Sequence, residues 1–171
     1  TEVTVTAQRP QTEVIPSQKL SGEELQRLNS NSVADALRYF SGVQVKDYGG
    51  VGGIKTVNIR SMGTNHTGVV YDGIELGNAQ NGQIDLGRYS LSNMESVALY
   101  NANRNERLQS ASEYASAATV YLQTRRPDST ALSVEYGTGS FGLQKLKAYL
   151  SFKNILFVDA EYQRTDGDYP F

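Results

Sequence analysis

Hydrophobic and polar positions change their period several times along this chain, and each change marks a predicted element. Val3 and Val5 alternate with polar neighbours at the start, a short exposed strand with no partner beside it. Residues 8–16 carry Pro10 and Pro16 without periodicity and read as a linker. A strand enters at residues 18–20. Ser21-Gly22-Glu23-Glu24 is a capping-box pattern, and Leu25 and Leu28 follow at helical spacing, which predicts a short helix ending near Asn29. A second helix begins at Asn31 or Ser32. Val33, Ala34, Leu37 and Phe40 mark its buried stripe, and Gly42 is its stop. Val43 and Val45 then alternate as a strand, and residues 47–53 form a Gly-rich loop.

Residues 57–86 make the most informative unit. Val57-Asn58-Ile59-Arg60 and Gly68-Val69-Val70-Tyr71 read as two strands, the second closed by the turn pair Asp72-Gly73. Ile74-Glu75-Leu76 leads into a polar loop over residues 77–83. Further on, residues 94–100 form a strand with Val97 and Leu99 on one face, and residues 101–110 are polar and irregular. Residues 110–118 are rich in small side chains. A strand over residues 120–123 is halted at Arg125-Arg126-Pro127.

The last 45 positions are different in character. Leu132, Val134 and Tyr136 alternate with Ser133 and Glu135, Leu146, Ala148, Leu150 and Phe152 with Lys145, Lys147, Tyr149 and Ser151, and Leu156, Val158, Ala160 and Tyr162 with Phe157, Asp159, Glu161 and Gln163. Eight of the 16 aromatic residues fall here, the bias that interfacial girdles on a transmembrane barrel produce. Two readings fit the pattern: strands of a transmembrane barrel wall, or an amphipathic meander packed on the preceding domain.

Composition narrows the chemistry. Sixteen basic against 18 acidic residues leave a net charge of −2, without the basic excess that nucleic acid selects. The absence of cysteine excludes disulfides and thiolate metal sites, and the single His66 excludes a His-rich zinc site. No apolar run reaches the ~20 residues of a spanning helix. No secretory signal opens the chain, so an exported protein is expected here in mature or trimmed form. Gly49-Gly50-Val51-Gly52-Gly53 lacks the Lys-Ser/Thr and the following helix of a phosphate loop. Asp72 and Glu75 are not set up as a glycosidase pair, and no nucleophile–base pair or metal set is visible, so no enzyme is expected.

Several of these pieces fall in one order, and in that order the chain resembles the plug domain of TonB-dependent outer-membrane receptors. The family often reads a strand ending in I-R-G, an apolar strand, D-G, a Gly-rich loop and Asp-Leu. Here the counterparts are Asn58-Ile59-Arg60-Ser61, residues 69–73, Gly82 and Asp85-Leu86. Ser32-Val33-Ala34-Asp35-Ala36-Leu37 with Ser41-Gly42-Val43 resembles the family's helix and strand entry, with Ser41 where proline is usual. The family's R-G-P, tyrosine-glycine and Gly-Gly signals are missing between Tyr100 and Ala118. The resemblance implies an α+β fold: a small mixed-sheet plug with short helices, followed by antiparallel strands of an incomplete transmembrane barrel. Its expected division is residues 1–16 as a TonB-box-like segment and linker, 17–126 as plug and 127–171 as the first barrel strands. Such a chain is expected to be a fragment, since transporters of this kind close ~22 strands.

The resemblance also assigns roles. Glu2, Val3, Thr4, Val5, Thr6 and Ala7 look like the TonB box, which would pair with TonB by adding a strand to its sheet edge. Asp47, Tyr48, Gly49, Gly50, Val51 and Gly52 form one loop expected to face the extracellular cavity. Asn78, Ala79, Gln80, Asn81 and Gln83 form the other. Glycine backbone admits close approach of a ligand, and amide side chains both donate and accept. Without the resemblance both loops read as plain connections. Arg60 is expected to pair with carboxylates on the inner barrel wall, with a solvated surface arginine as the plain reading. His66 reads as a surface residue, and Asp159 and Glu161 would face a barrel lumen. The implied function is uptake of a scarce nutrient, a corrinoid ahead of a ferric siderophore, across the Gram-negative outer membrane, with no cofactor and no metal. The alternative is a secreted or periplasmic carbohydrate-binding module.

Overall fold

The computed structural model describes residues 16–28, 30–50, 52–77, 82–101, 109–126, 129–153 and 156–167. The TonB-box-like residues 2–7, Val51 and residues 78–81 lie outside them.

The chain begins with β1 (Gln18–Ser21) and α1 (Glu23–Arg27). Ser21 ends the strand instead of capping the helix, because it pairs with Ser96 across the sheet. Gly22, at φ 52°, turns the chain between the two. In α2 (Val33–Leu37) Ser32 is the N-cap, accepting the Asp35 N–H on its hydroxyl. The helix stops earlier than its stripe suggests. Beyond Leu37 the backbone tightens into i→i+3 bonds, Tyr39 N–H to Ala36 and Phe40 N–H to Leu37, which keep Phe40 in the core. β2 (Val43–Asp47) and β3 (Lys55–Ile59) form an antiparallel hairpin of their own.

β4 (Thr67–Tyr71) and β5 (Ile74–Leu76) are the second hairpin, and Asp72-Gly73 is its turn as expected. Both turn residues have positive φ, 47° and 83°, the type I′ geometry that asparagine, aspartate and glycine tolerate. Asp72 is held there by Thr124, whose N–H and hydroxyl both donate to its carboxylate at 2.9 and 2.6 Å. β6 (Met94–Tyr100), α3 (Ala111–Ala115) and β7 (Ala118–Thr124) complete the first sheet, ordered β1-β6-β7-β4-β5. It is mixed: β4 and β7 run parallel and every other pair is antiparallel. The small-residue stretch hides α3, whose signal is the capping box Ser110-Ala111-Ser112-Glu113, with the Glu113 N–H on Ser110 Oγ.

One core binds these parts. Val33, Ala36 and Leu37 of α2 join Val57, Ile59, Val69, Leu86, Val97, Leu99, Val120 and Leu122. Each such large apolar side chain contributes about 1.5–3 kcal/mol on burial. Leu86 sits in a 3₁₀ turn (Leu86–Arg88) that packs between α2 and β3.

β8 (Ala131–Thr138), β9 (Gln144–Phe152) and β10 (Leu156–Arg164) form a separate antiparallel meander, as the alternation requires. Its apolar face is not laid on the first domain. Leu132, Val134 and Tyr136 are 72%, 63% and 65% exposed, and Leu146, Leu156, Val158 and Tyr162 share their outward face. The polar face turns inward instead. Apolar-out, polar-in strands are the arrangement of a transmembrane barrel wall, and the packed-meander reading is set aside.

Candidate functional site

The two loops picked out by their glycine and amide residues spring from one junction. At the base of the β2–β3 loop, Lys55 donates its backbone N–H to Asp85 Oδ1 at 2.9 Å. The same oxygen accepts the Gly87 N–H at 3.0 Å, so Asp85 also caps the 3₁₀ turn that follows the second loop. Gly82, near the end of that loop, passes beside the side chain of Asn65. Asp47, Tyr48, Gly49, Gly50 and Gly52 thus share a root with Gln83.

The first loop is built to stay in place. Tyr48 N–H bonds the Ile54 carbonyl at 3.0 Å, and Asp47 Oδ1 accepts the N–H groups of Gly49 and Gly50 at 3.2 and 2.9 Å. The Asp47 carboxylate is therefore occupied by its own loop. Gly53 is a steric requirement: a Cβ there would lie 2.7 Å from the Gly49 backbone. Tyr48 and Ile54 stand exposed on either side of the loop's neck.

Under the junction lies an ion-pair cluster. Lys55 Nζ reaches Asp35 Oδ1 and Oδ2 at 3.0 and 3.2 Å and Asp47 Oδ2 at 3.7 Å, while Arg38 contacts the same two carboxylates at 3.9 and 3.5 Å. Burial works to raise the Asp35 pKa. The hydrogen bonds from Lys55 and Ser32, with the charges of Lys55 and Arg38, outweigh it and hold Asp35 below its ordinary 3.8. A depressed carboxylate stabilises the fold above its unfolded value and loses that contribution as the pH falls through its folded one. The stability gap between the parent and Asp35→Asn, followed by denaturant titration, is therefore expected to shrink as the pH drops below 3.8. A gap that stays constant from about pH 6 to pH 3 would contradict the cluster's role.

A cavity of about 270 Å³ separates the loop from the meander. Gly50, Gly52, Lys55 and Arg88 line one side, Glu161 and Gln163 of β10 the other. Gln163 pairs with Lys145 at the start of β9, so the loop stands toward the end of the meander that carries the β8–β9 connection.

Below the cavity the first domain touches the meander's polar face. Ser90 Oγ donates to Glu161 Oε2 at 2.5 Å, Ser92 Oγ to Asp159 Oδ2 at 3.4 Å, and Lys145 Nζ to Asn31 Oδ1. Asp159 and Glu161 thus face inward, as the alternation implied. Their partners Ser90 and Ser92 carry no motif and were not visible in the sequence. Arg60 is exposed just beyond β3 at φ 51°, its N–H on the Gly42 carbonyl. Among the described residues its guanidinium has no ion pair with the meander. His66 lies in a 3₁₀ turn (Thr64–His66), and its carbonyl accepts the Ala117 N–H.

This geometry agrees with what the chain is similar to. A profile of the TonB-dependent Receptor Plug Domain matches residues 10–111. The vitamin B12 transporter BtuB of Photobacterium profundum is 28% identical over 137 residues, 78% of this chain and 22% of that protein. The ferric yersiniabactin uptake receptor FyuA of Yersinia pestis superposes at a TM-score of 0.62 with 18% identity, over 90% of this chain and 24% of that one. The copper transporter OprC superposes at 0.57 with 16% identity, over 80% and 21%. At those identities the structural likeness speaks for the fold. The chain spans about a fifth to a quarter of the length of these relatives. With the profile covering more than half of its residues, the chain belongs to the TonB-dependent receptor plug family, whose members reside in the Gram-negative outer membrane.

Proposed function

We propose that this chain is the plug and first wall strands of a transporter that takes up a scarce nutrient with energy supplied through TonB. The observation that carries the reading is the two-sided meander. Its apolar face is left exposed, as a lipid-facing wall requires, while its polar face receives a mixed-sheet domain as a stopper. A secreted carbohydrate-binding module would leave that apolar band in water. We divide the chain into residues 1–16, 17–126 and 127–171, as leading segment, plug and wall. Residues 2–7 are assigned to TonB, and Arg60 to a carboxylate on wall strands beyond those described.

The ligand site is assigned to the two loops rooted at Lys55 and Asp85. The glycine backbone and amide side chains of their sequences suit a large polar ligand held by many modest contacts. A corrinoid is the first choice, supported by the vitamin B12 transporter among the relatives, and a ferric chelate is the second, supported by FyuA. The deciding experiment titrates the full-length protein with cobalamin and with several ferric chelates. Replacing residues 78–83 by a Gly-Ser linker is expected to weaken the true ligand about tenfold, the effect of losing one or two good polar contacts. An unchanged affinity removes that loop from the site.

A further inference from the structure

We propose that one buried water is a fixed part of this plug, held between Thr56 of β3 and the hydroxyls of Thr64 and Thr67, where it links two sheets that share no strand pairing. The site follows from the packing of β3 and is independent of which nutrient is carried.

β3 sends Thr56 and Asn58 to one side, as residues two apart on a strand must lie. Both are buried, and both meet the segment that leads from β3 into β4. Asn58 is long enough to bond that segment directly. Its Oδ1 accepts the Gly63 N–H at 2.8 Å, and its Nδ2 donates to Gln44 Oε1 at 3.4 Å. Thr56 is shorter. It is 1% exposed, its hydroxyl oxygen is wholly enclosed, and among the described residues that oxygen has no hydrogen-bond partner. Burying a hydroxyl unpaired is costly, and native interiors rarely leave one so.

A cavity of about 10 Å³ lies where Thr56, Thr64 and Thr67 come together. About 10–15 Å³ is what one water needs, so the space admits a water and nothing larger. Each hydroxyl both donates and accepts, and three of them supply the partners that hold a water in place. Apolar side chains, Ile84 and Leu86 among them, make the rest of the lining. No carboxylate lines the cavity, so its guest is neutral and not a cation.

The location gives the water its role. β3 belongs to the two-stranded sheet and β4 to the five-stranded one. Val57, Ile59 and Val69 join them by apolar contact, which sets no direction. A water from Thr56 to Thr67 adds a directional link across that joint. Thr56 follows Lys55 and Leu86 follows Asp85, the two residues whose bond roots both loops, so the water lies next to that junction.

The test is a pair of crystal structures of the full-length protein, parent and Thr56→Val, at a resolution that shows ordered water. The parent is expected to hold one water within about 3.2 Å of Thr56 Oγ1 and of the Thr64 or Thr67 hydroxyl, and the variant to lack it. A parent site without that water, or a water that persists in Thr56→Val, overturns the proposal. Hydrogen exchange in solution decides the same question by its sign. An orphaned hydroxyl would make valine the better residue and slow the opening of β3. A hydroxyl bonded to water makes valine the worse one. Exchange at the Lys55 and Gly63 amides, whose acceptors are Asp85 and Asn58, is then expected to rise about three- to tenfold, with β6 amides unchanged. Unchanged or slower exchange at those two amides, or an equal rise throughout β6, overturns it.

Discussion

Replacing Leu37 by alanine is expected to destabilise the plug by about 2–5 kcal/mol, the range for emptying a fully enclosed leucine site. Leu37 is 0% exposed. It is the last residue of α2, and its helix packs against β2, β3 and the 3₁₀ turn that carries Leu86. The site has little freedom to collapse, because strands and turn are pinned to one another by Asp85 and by the Asp35–Lys55 pair. The loss is read as faster hydrogen exchange at the β6 and β7 amides of the full-length protein, which report opening of the plug core. Exchange in β8–β10 should stay slow, since the wall strands bond among themselves. A loss below about 1 kcal/mol would mean that α2 is not part of the cooperative core.

Deleting residues 2–7 is expected to abolish energy-coupled uptake and leave ligand binding intact. The alternation of Val3 and Val5 is the pattern of an exposed strand, and under the proposal main-chain hydrogen bonds to TonB would supply the grip. The loops proposed to hold the ligand lie at residues 47–53 and 77–83, on a junction that contains none of the deleted residues. Uptake and binding should therefore separate in one variant: saturable binding of cobalamin or a ferric chelate at the parental affinity, and no accumulation beyond it. Accumulation at the parental rate would remove the segment from energy coupling. Loss of binding as well would mean that the segment also supports the site, as a linked equilibrium between the two ends of the plug allows.

Much of the fold was legible because it rests on local chemistry. Asp72-Gly73 demands a tight hairpin wherever it sits, and Ser32 caps a helix by a bond three residues long. The three final strands declared themselves by alternation, and the polar side on which Asp159 and Glu161 lie was readable with them. The short helix α3 was overlooked although its capping box was present, because small residues give no apolar stripe to follow. The two glycine- and amide-bearing loops were legible in composition, and the residue that supports them was not. Nothing local marks Asp85 as the residue that roots both loops, since its bond to Lys55 spans 30 positions.

By itself, then, the sequence determined the element types, the turn chemistry and the two faces of the terminal strands, all set by neighbours a few residues apart. Only the tertiary structure decided the rest. It paired β4 in parallel with β7 and held β2–β3 apart as a separate hairpin. It sent the apolar face of β8–β10 outward and met their inner carboxylates with Ser90 and Ser92. These depend on contacts between residues tens of positions apart, where loop closure and the burial of whole surfaces govern the outcome and no short pattern records it.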